Sequence, residues 1–425
     1  MAEAVQNEIA AELEADVLER FLRYVRIDTQ SDPDSSTYPS TAKQRELGEL
    51  LARELHQLGL EDAAIDEHGY VFASLPGSAG PTIGLIAHVD TSFDESGAGV
   101  SPQVVRGYDG GDIQLPGEPR QAIRPGESLL LGERVGHDIV TTDGTTLLGA
   151  DDKAGVAEIM AAVAYLIRHP EVEHAPIRIG FTVDEEVGRG VEHFDIEAFG
   201  ADFAYTLDGA EVGKIDDETF SASEVRITIH GHSVHPGTSK GKMVNSVKLA
   251  GRLLEKLPHD RLSPETTEER DGFVHPVRIA GSAAETQLTF IARDFDGARL
   301  REHEQLLRDL AAEIEREEPR ARLEVVVEDS YRNMKEFLQA QPRIVEAAEE
   351  ATRRIGLEPT RGAIRGGTDG AVLSARGLLT PNLFTGGQEY HSVREWISVQ
   401  DMATSAAMVV ELAKLWAEPE WSSGA

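Results

Sequence analysis

Apolar residues recur along this chain with two periods, and the switches between them outline its elements. From about residue 10 to 59 the period is helical: Val17, Leu18, Phe21, Leu22 and Val25 follow i, i+3, i+4 spacing. A second helix is expected through "TAKQRELGELLARELHQLG". Two short apolar runs follow, "YVFASL" and "TIGLIAHVD", and the second reads as a buried strand. Residues 95–140 are rich in Gly and Pro and predict a long excursion with short hairpins. After "IVTTDGTTLLGADD" an apolar helix is expected to about Arg168, and "IRIGFTVDEE" and "ADFAYTLDG" read as two more buried strands. Strands alternating with helices predict a largely parallel α/β sheet.

Near residue 218 the texture changes. "SEVRITIHG" predicts a strand, "MVNSVKLAGRLLEKL" a helix, "FVHPVRIAG" and "TQLTFIARDFD" two strands, "ARLREHEQLLRDLAAEIER" a helix and "ARLEVVVEDS" a strand. That order, β-α-β-β-α-β, is the ferredoxin-like signature. From about residue 338 the earlier alternation resumes and runs to a C-terminal helix, "DMATSAAMVVELAKLWA". The expected architecture is one α/β domain, residues 1–217 and 334–425, interrupted by a smaller α+β domain at 218–333. A chain of 425 residues is long for a single core, which agrees with two domains.

Composition narrows the class. Hydrophobic residues make up 40% and charged residues 27%, a soluble globular profile. There is no cysteine, so disulfides and thiolate ligands are excluded, and a reducing compartment suits the chain. The N-terminus has no basic stretch leading into an apolar one. Apolar stretches such as "AGVAEIMAAVAYLI" stop short of the roughly 20 residues that span a membrane, so a cytoplasmic protein is expected. The net charge of −34 argues against nucleic acid and anionic membranes as partners. The acids are spread along the chain, as on a well-solvated surface or in adaptation to high salt, where screening relieves self-repulsion.

Four apolar stretches end in acid or histidine: at His88 and Asp90, at Glu185 and Glu186, at Asp208, and at His391 after a Gly-Gly turn. In open α/β sheets the ligand site lies at the carboxyl ends of strands. "LLGADDKAG" adds Asp151 and Asp152 at the mouth of an apolar helix, where one Asp would suffice as a cap. Imidazoles and carboxylates without thiolate suit Zn, Co or Mn. His88, Asp151, Glu186, Asp208 and His391 are one too many for a closed tetrahedral site. They fit two metals about 3.5–4 Å apart that share one carboxylate. His88 and Asp90, two apart on a strand, face the same way, so Asp90 can hold the second nitrogen of His88. Of Glu185 and Glu186, one can bind metal while its neighbour activates water. Against this, a strand ending in an acid is ordinarily a solvent contact, and "DD" before a helix is ordinarily a cap. His230, His232 and His235 within "HGHSVHP" look like a metal cluster, but alternation on a strand running into a turn is the plainer account.

Seven blocks together carry a resemblance: "HVDTSFD", "TLLGADDKAGVAEIM", "VDEEVGRG", "TLDGAEVG", "HPGTSKGKMVNS", "IRGGTDGAVLSARGLLTPNLFTGG" and "EYHS". In order, from about residue 12 to 415, they resemble the M20 family of dinuclear zinc exopeptidases, in its tripeptide aminopeptidase branch. Phe93, where proline is expected, and the residues around "EYHS" are departures that remove no ligand. The resemblance implies a mainly parallel-sheet catalytic domain binding two Zn2+ per subunit, with Co2+ or Mn2+ able to stand in. It makes Asp151 the bridging ligand and implies a cis peptide between Asp151 and Asp152. His88 and Asp208 complete one metal site, Glu186 and His391 the other. Glu185 is the implied general base, acting on a metal-bridging water, and Asp90 orients His88. His235 resembles a lid histidine that stabilises the oxyanion. Asn245, Arg293 and Arg365 resemble groups that hold the substrate, an Arg fork suiting a peptide carboxylate. Arg293 could equally pair with Asp294 or Asp296. The inserted domain is implied to be a lid that closes over small peptide substrates and forms a homodimer interface. An M20 aminoacylase, dipeptidase or deacylase would use the same site. A binding protein without catalysis is disfavoured by the retention of Glu185 and Asp90. A Ca2+ buffer is disfavoured by the two histidines, since Ca2+ prefers oxygen.

Overall fold

The computed structural model describes residues 7–422. The chain forms two units: one takes the described chain up to Asp217, Phe337–Gly362 and the part from Thr368 on, the other Glu218–Glu336 and Ala363–Gly367.

In the first unit the chain opens with α1 (Glu8–Tyr24), capped by the Asn7 side chain, which accepts from the amides of Ile9 and Ala10. Its periodic positions Val17, Leu18, Phe21 and Val25 are buried. α2 (Gln44–Gln57) follows a long loop, then β1 (Ala64–Ile65), β2 (Val71–Leu75) and β3 (Ile83–His88). The Gly- and Pro-rich excursion holds β4 (Gln103–Val105), the hairpin β5 (Ile113–Gln114) and β6 (Ala122–Ile123), and β7 (Ile139–Thr141). It has a small core of its own, in which Tyr108, Ile113, Leu115, Leu131, Ile139 and Trp396 pack together. α3 (Ala150–Arg168), β8 (Ile177–Thr182), the short α4 (Ile196–Phe199), β9 (Phe203–Gly209) and β10 (Lys214–Thr219) complete the first passage.

The second unit contains β11 (Ser221–His230), α5 (Ser246–Glu255), β12 (Phe273–Gly281), β13 (Glu285–Asp294), α6 (Gly297–Glu317) and β14 (Arg322–Tyr331). The strands form an antiparallel sheet ordered β12-β13-β11-β14. One face is apolar: Val225, Ile227 and Ile229 of β11 alternate inward and pack with Leu253 of α5 and Leu307 and Ile314 of α6. Sequence order and strand order together are ferredoxin-like, as the hydrophobic pattern predicts.

The chain returns through α7 (Lys335–Leu338), α8 (Arg343–Arg354), β15 (Thr360–Ile364), α9 (Asp369–Ala375), β16 (Asn382–Phe384), β17 (Trp396–Ser398), α10 (Val399–Ala417) and α11 (Pro419–Ser422). The large sheet runs β1-β2-β8-β3-β9-β16-β10-β15. Its centre is parallel, β8 to β3 to β9 to β16, and antiparallel pairs lie toward both edges. α1, α3 and α10 pack on one another, and α3 lies against β3 and β9. Covered in this way, α3 is buried on nearly every face, which explains its apolar run.

The parallel register places the site. His88 stands opposite Thr182, and Ile86 opposite Thr206, so the ends of β3, β8 and β9 emerge side by side. α3 reaches that edge closely because residue 155 is glycine. A Cβ there would sit 2.0 Å from the Leu207 carbonyl and 2.5 Å from Asp152 Oδ1. Gly155→Ala is therefore expected to lower unfolding stability by at least about 1–3 kcal/mol. Urea denaturation measures this, and a wild-type midpoint would refute the close approach.

β10, "KIDDET", has no counterpart in the hydrophobic pattern. It pairs with β16, Ile215 opposite Leu383 and Asp216 opposite Asn382. Its acids are matched by cations instead of solvent, Asp216 by Lys214 at 3.0 Å and Asp217 by Arg361 at 3.2 Å.

Candidate active site

The ends of β3, β8 and β9 bring His88, Glu185, Glu186 and Asp208 to one edge of the large sheet. Asp151 arrives from the start of α3, and His391 from the loop between β16 and β17. Among the described residues two groups have metal-ligand spacing, each with ligand atoms within 4.8 Å of one another: His88, Asp151 and Asp208, and Asp151, Glu186 and His391. Asp151 belongs to both. Its Oδ1 lies 3.0 Å from His88 Nε2 and its Oδ2 3.2 Å from His391 Nε2. Asp208 Oδ1 is 3.8 Å from His88 Nε2, and Glu186 Oε2 is 3.0 Å from His391 Nε2.

The two adjacent aspartates divide two tasks. Asp151 and Asp152 have non-helical backbone angles and a cis peptide between them. Asp152 Oδ1 accepts the amide of Gly155 at 3.2 Å, an N-cap bond, and its Oδ2 accepts the amide of His88 at 3.1 Å. Asp152 is thus the cap, and it ties the helix to the end of β3. Asp151 is left free to meet the two histidines.

Asp90 is fully buried and lies just beyond the end of β3. Its backbone carbonyl is 3.1 Å from His88 Nδ1 and its carboxylate 3.3 Å from it, and the carboxylate accepts the amides of Glu185 at 3.0 Å and Glu186 at 3.2 Å. A single acid therefore orients a candidate ligand and the turn carrying the Glu pair. That turn is preceded by Asp184, whose φ of 58° is left-handed. Asp184 is held there by the Ser40 amide at 2.6 Å, the Ser40 hydroxyl at 2.5 Å and the Gln44 side chain at 2.6 Å. His391 is also left-handed, at φ 59°. Non-glycine residues in this region cost of order 1–3 kcal/mol, and such positions cluster at functional sites.

Burial works against most of these acids. Glu186 is raised to about 8 by desolvation, and the charge of Asp151 adds to the shift. Asp208 is raised to about 6 by desolvation, with the hydrogen bond to His88 opposing. Glu185 is raised well above the usual carboxylate range by desolvation. His88 opposes that shift, and the charges of Asp208, Asp369 and Glu186 reinforce it. Asp151 is the exception: against the cost of its burial, hydrogen bonds with His391 and His88 hold it below the usual range. His391 is pushed up to about 11 by its hydrogen bonds to Asp151 and Glu186.

Several participants are absent from the motif reading. Asp94 Oδ2 lies 3.1 Å from His391 Nδ1, matching what Asp90 does for His88. Glu395, 1% exposed, accepts the amides of Leu148, Gly149 and Asp151. Asp369, also buried, accepts the Thr182 hydroxyl at 2.7 Å. The available signal was proximity in sequence, since Asp94 follows Asp90 by four positions and Glu395 follows His391 by four.

His235, Asn245, Arg293 and Arg365 belong to the second unit. His235 is exposed, and its Nδ1 accepts the amide of Gly237 at 3.1 Å. Asn245 caps α5 through the amide of Lys248. The acids considered as partners of Arg293 are engaged elsewhere, Asp294 with His303 at 3.0 Å and Asp296 as the cap of α6. The Arg293 guanidinium instead stands over the rings of Phe273 and Tyr331. Arg365 donates to the carbonyls of Glu269 and Asp271 at 2.8 and 2.9 Å. His230 pairs with Glu285 across the strands at 3.0 Å, and His230, His232 and His235 form no metal-spaced group among the described residues.

A layered parallel sheet brings acids and histidines with metal-ligand spacing to one edge, and the comparisons place the chain among the peptidases. The chain belongs to peptidase family M20/M25/M40, whose model matches residues 142–415. Over 407 residues it is 46% identical to Peptidase T of Geobacillus thermodenitrificans, covering 95% of this chain and 99% of that protein. Among solved structures it is similar to a tripeptidase from Staphylococcus aureus, with TM-score 0.74, 25% identity and coverage of 95% and 98%. Aminopeptidase PepT from Bacillus cereus shares the fold, with TM-score 0.73, 24% identity and coverage of 95% and 99%. No helix among the described residues is long and apolar enough to cross a membrane.

Proposed function

We propose that this protein is a metal-dependent aminopeptidase that releases the N-terminal residue of tripeptides. The observation that carries the reading is the Asp151 carboxylate, divided between His88 on one side and His391 on the other. The likeness to relatives called Peptidase T and tripeptidase supports a tripeptide substrate.

The proposed metals are two Zn2+, with Co2+ or Mn2+ able to replace them. The donor set fits: two imidazoles and three carboxylates suit borderline divalent ions. Glu186 Oε1 is buried without a hydrogen-bond partner, as a ligand atom without its ion would be. His88, Asp151 and Asp208 would hold one ion, and Asp151, Glu186 and His391 the other. When bound, the ions would polarise the scissile carbonyl and acidify the attacking water. Glu185 takes the proton of that water and returns it to the leaving amine. Asp90 keeps His88 and the Glu185–Glu186 turn in register. In the second unit, the family resemblance assigns His235 to the developing oxyanion and Asn245, Arg293 and Arg365 to the substrate.

A net charge of −34 supports an enzyme with neither nucleic-acid nor membrane partners, and the lack of cysteine supports a cytoplasmic one. The reading includes a homodimer through the second unit. β12 edges that unit's sheet and carries Val277 and Ile279 exposed, which supports pairing there. Sedimentation equilibrium is expected to give the mass of two chains, and the mass of one would remove this part of the proposal.

The test of function uses the protein loaded with Zn2+ or Co2+, a simple tripeptide and its N-acetylated twin, with products read by mass spectrometry. Cleavage of only the free-amine peptide, to one amino acid and a dipeptide, is expected. Release of acetate from the blocked peptide would instead make the protein a deacylase of the same family.

A further inference from the structure

The loop that delivers Asp151 has amides that neither a strand nor a helix satisfies. α3 becomes regular only after Asp152, and Gly149 just before it is left-handed at φ 83°. One side chain gathers these amides. Glu395 Oε2 accepts from Leu148 at 2.7 Å and Gly149 at 2.7 Å, and its Oε1 accepts from Asp151 at 3.0 Å. The acid is 1% exposed, so these bonds are shielded from water. Its own backbone is anchored: Glu395 donates to the Ser392 carbonyl at 3.2 Å, and the next residue exchanges two backbone bonds with Gln388, at 2.9 and 3.1 Å. The Trp396 indole is tied to Ser128 at 3.0 Å.

We propose that Glu395 is a positioning residue, a clamp that joins the segment carrying His391 to the segment carrying Asp151 and so sets where the shared carboxylate stands. The inference rests on the two-metal reading and deepens it, because His391 and Asp151 are ligands of one candidate metal and Asp151 serves both. A buried acid beside a cluster of carboxylates is electrostatically costly. Here three amides on the same loop offset part of that cost. Glutamine has one acceptor oxygen and would turn an NH2 toward at least one amide hydrogen.

The experiment titrates the metal-free protein with Co2+, whose visible spectrum reports ligand geometry. Glu395→Gln is expected to bind Co2+ about 10–100-fold more weakly, the range for lost partners of metal ligands. Its bound spectrum should shift, and its kcat should fall while KM holds. Glu158→Gln is the comparator, a buried acid farther along α3 that accepts from Ser405 at 2.6 Å. It should keep the wild-type spectrum and affinity whatever it does to melting temperature. If Glu395→Gln also keeps them and loses only thermal stability, Glu395 is a packing acid and the proposal is overturned. Should the Gln variant not fold, Glu395→Asp goes through the same titration. Its shorter arm cannot reach all three amides, so wild-type Co2+ binding there overturns the proposal too. A wild-type protein that takes up no Co2+ removes the metal reading itself, and the clamp with it.

Discussion

Glu185→Ala is expected to keep its bound metal and lose turnover by about 10²–10⁴-fold, the range for removing a general acid–base group. Glu185 is not a member of either metal-spaced group. Its backbone amide, not its side chain, is what Asp90 holds, so truncation leaves the turn in place. Nor should the fold suffer. Desolvation pushes this carboxyl above its usual range, so burial disfavours its charge, and truncation removes that cost instead of a support. Metal analysis, melting temperature and tripeptide turnover, measured on one preparation, separate these statements. A variant that cleaves at the wild-type rate would end the assignment of Glu185 as base.

Asp151→Ala should do what no other single ligand change does, and empty both metal sites. Each group has three candidate ligands, and Asp151 is the one they share. Asp208→Ala, by contrast, should spare the group formed with Glu186 and His391. Binding to the folded state alone stabilises by about 4 kcal/mol when the free ligand is about 1,000 times its Kd. Wild-type protein should therefore melt higher as metal is added, and Asp151→Ala should show no rise. Retention of one tight equivalent of metal by the variant would mean that the carboxylate is not shared. This measurement does not depend on knowing the substrate.

Much of this frame was legible in residue order. The helical stripe of α1 and the apolar runs of β3, β8 and β9 follow from which side chains must face a core, and such periods survive folding unchanged. The ferredoxin-like order of the second unit was readable for the same reason. β10 was not, because Asp216, Asp217 and Glu218 look like a solvated turn until Lys214, Arg361, Arg270 and Lys335 are brought to them. The candidate ligands stood out as residue types at strand ends. Their supports Asp94 and Glu395 did not. An acid in a polar loop carries no local mark of whether it faces water or a histidine 297 positions away.

The aspartate pair draws the line between the two levels. Its existence, its place before an apolar helix, and the chemistry of the histidines and acids elsewhere in the chain are properties of residue order. Which aspartate caps and which is shared does not follow from local pattern, which is the same for adjacent identical residues; in the sequence only the family resemblance points to Asp151. That assignment depends on the path of the backbone between them. It depends equally on His391, which lies 240 positions further along and meets Asp151, not Asp152, once the parallel strands have closed. Spacing along a chain fixes what can face the same way over a few residues. Convergence of distant segments is set by sheet register and by how the loops beyond it are held.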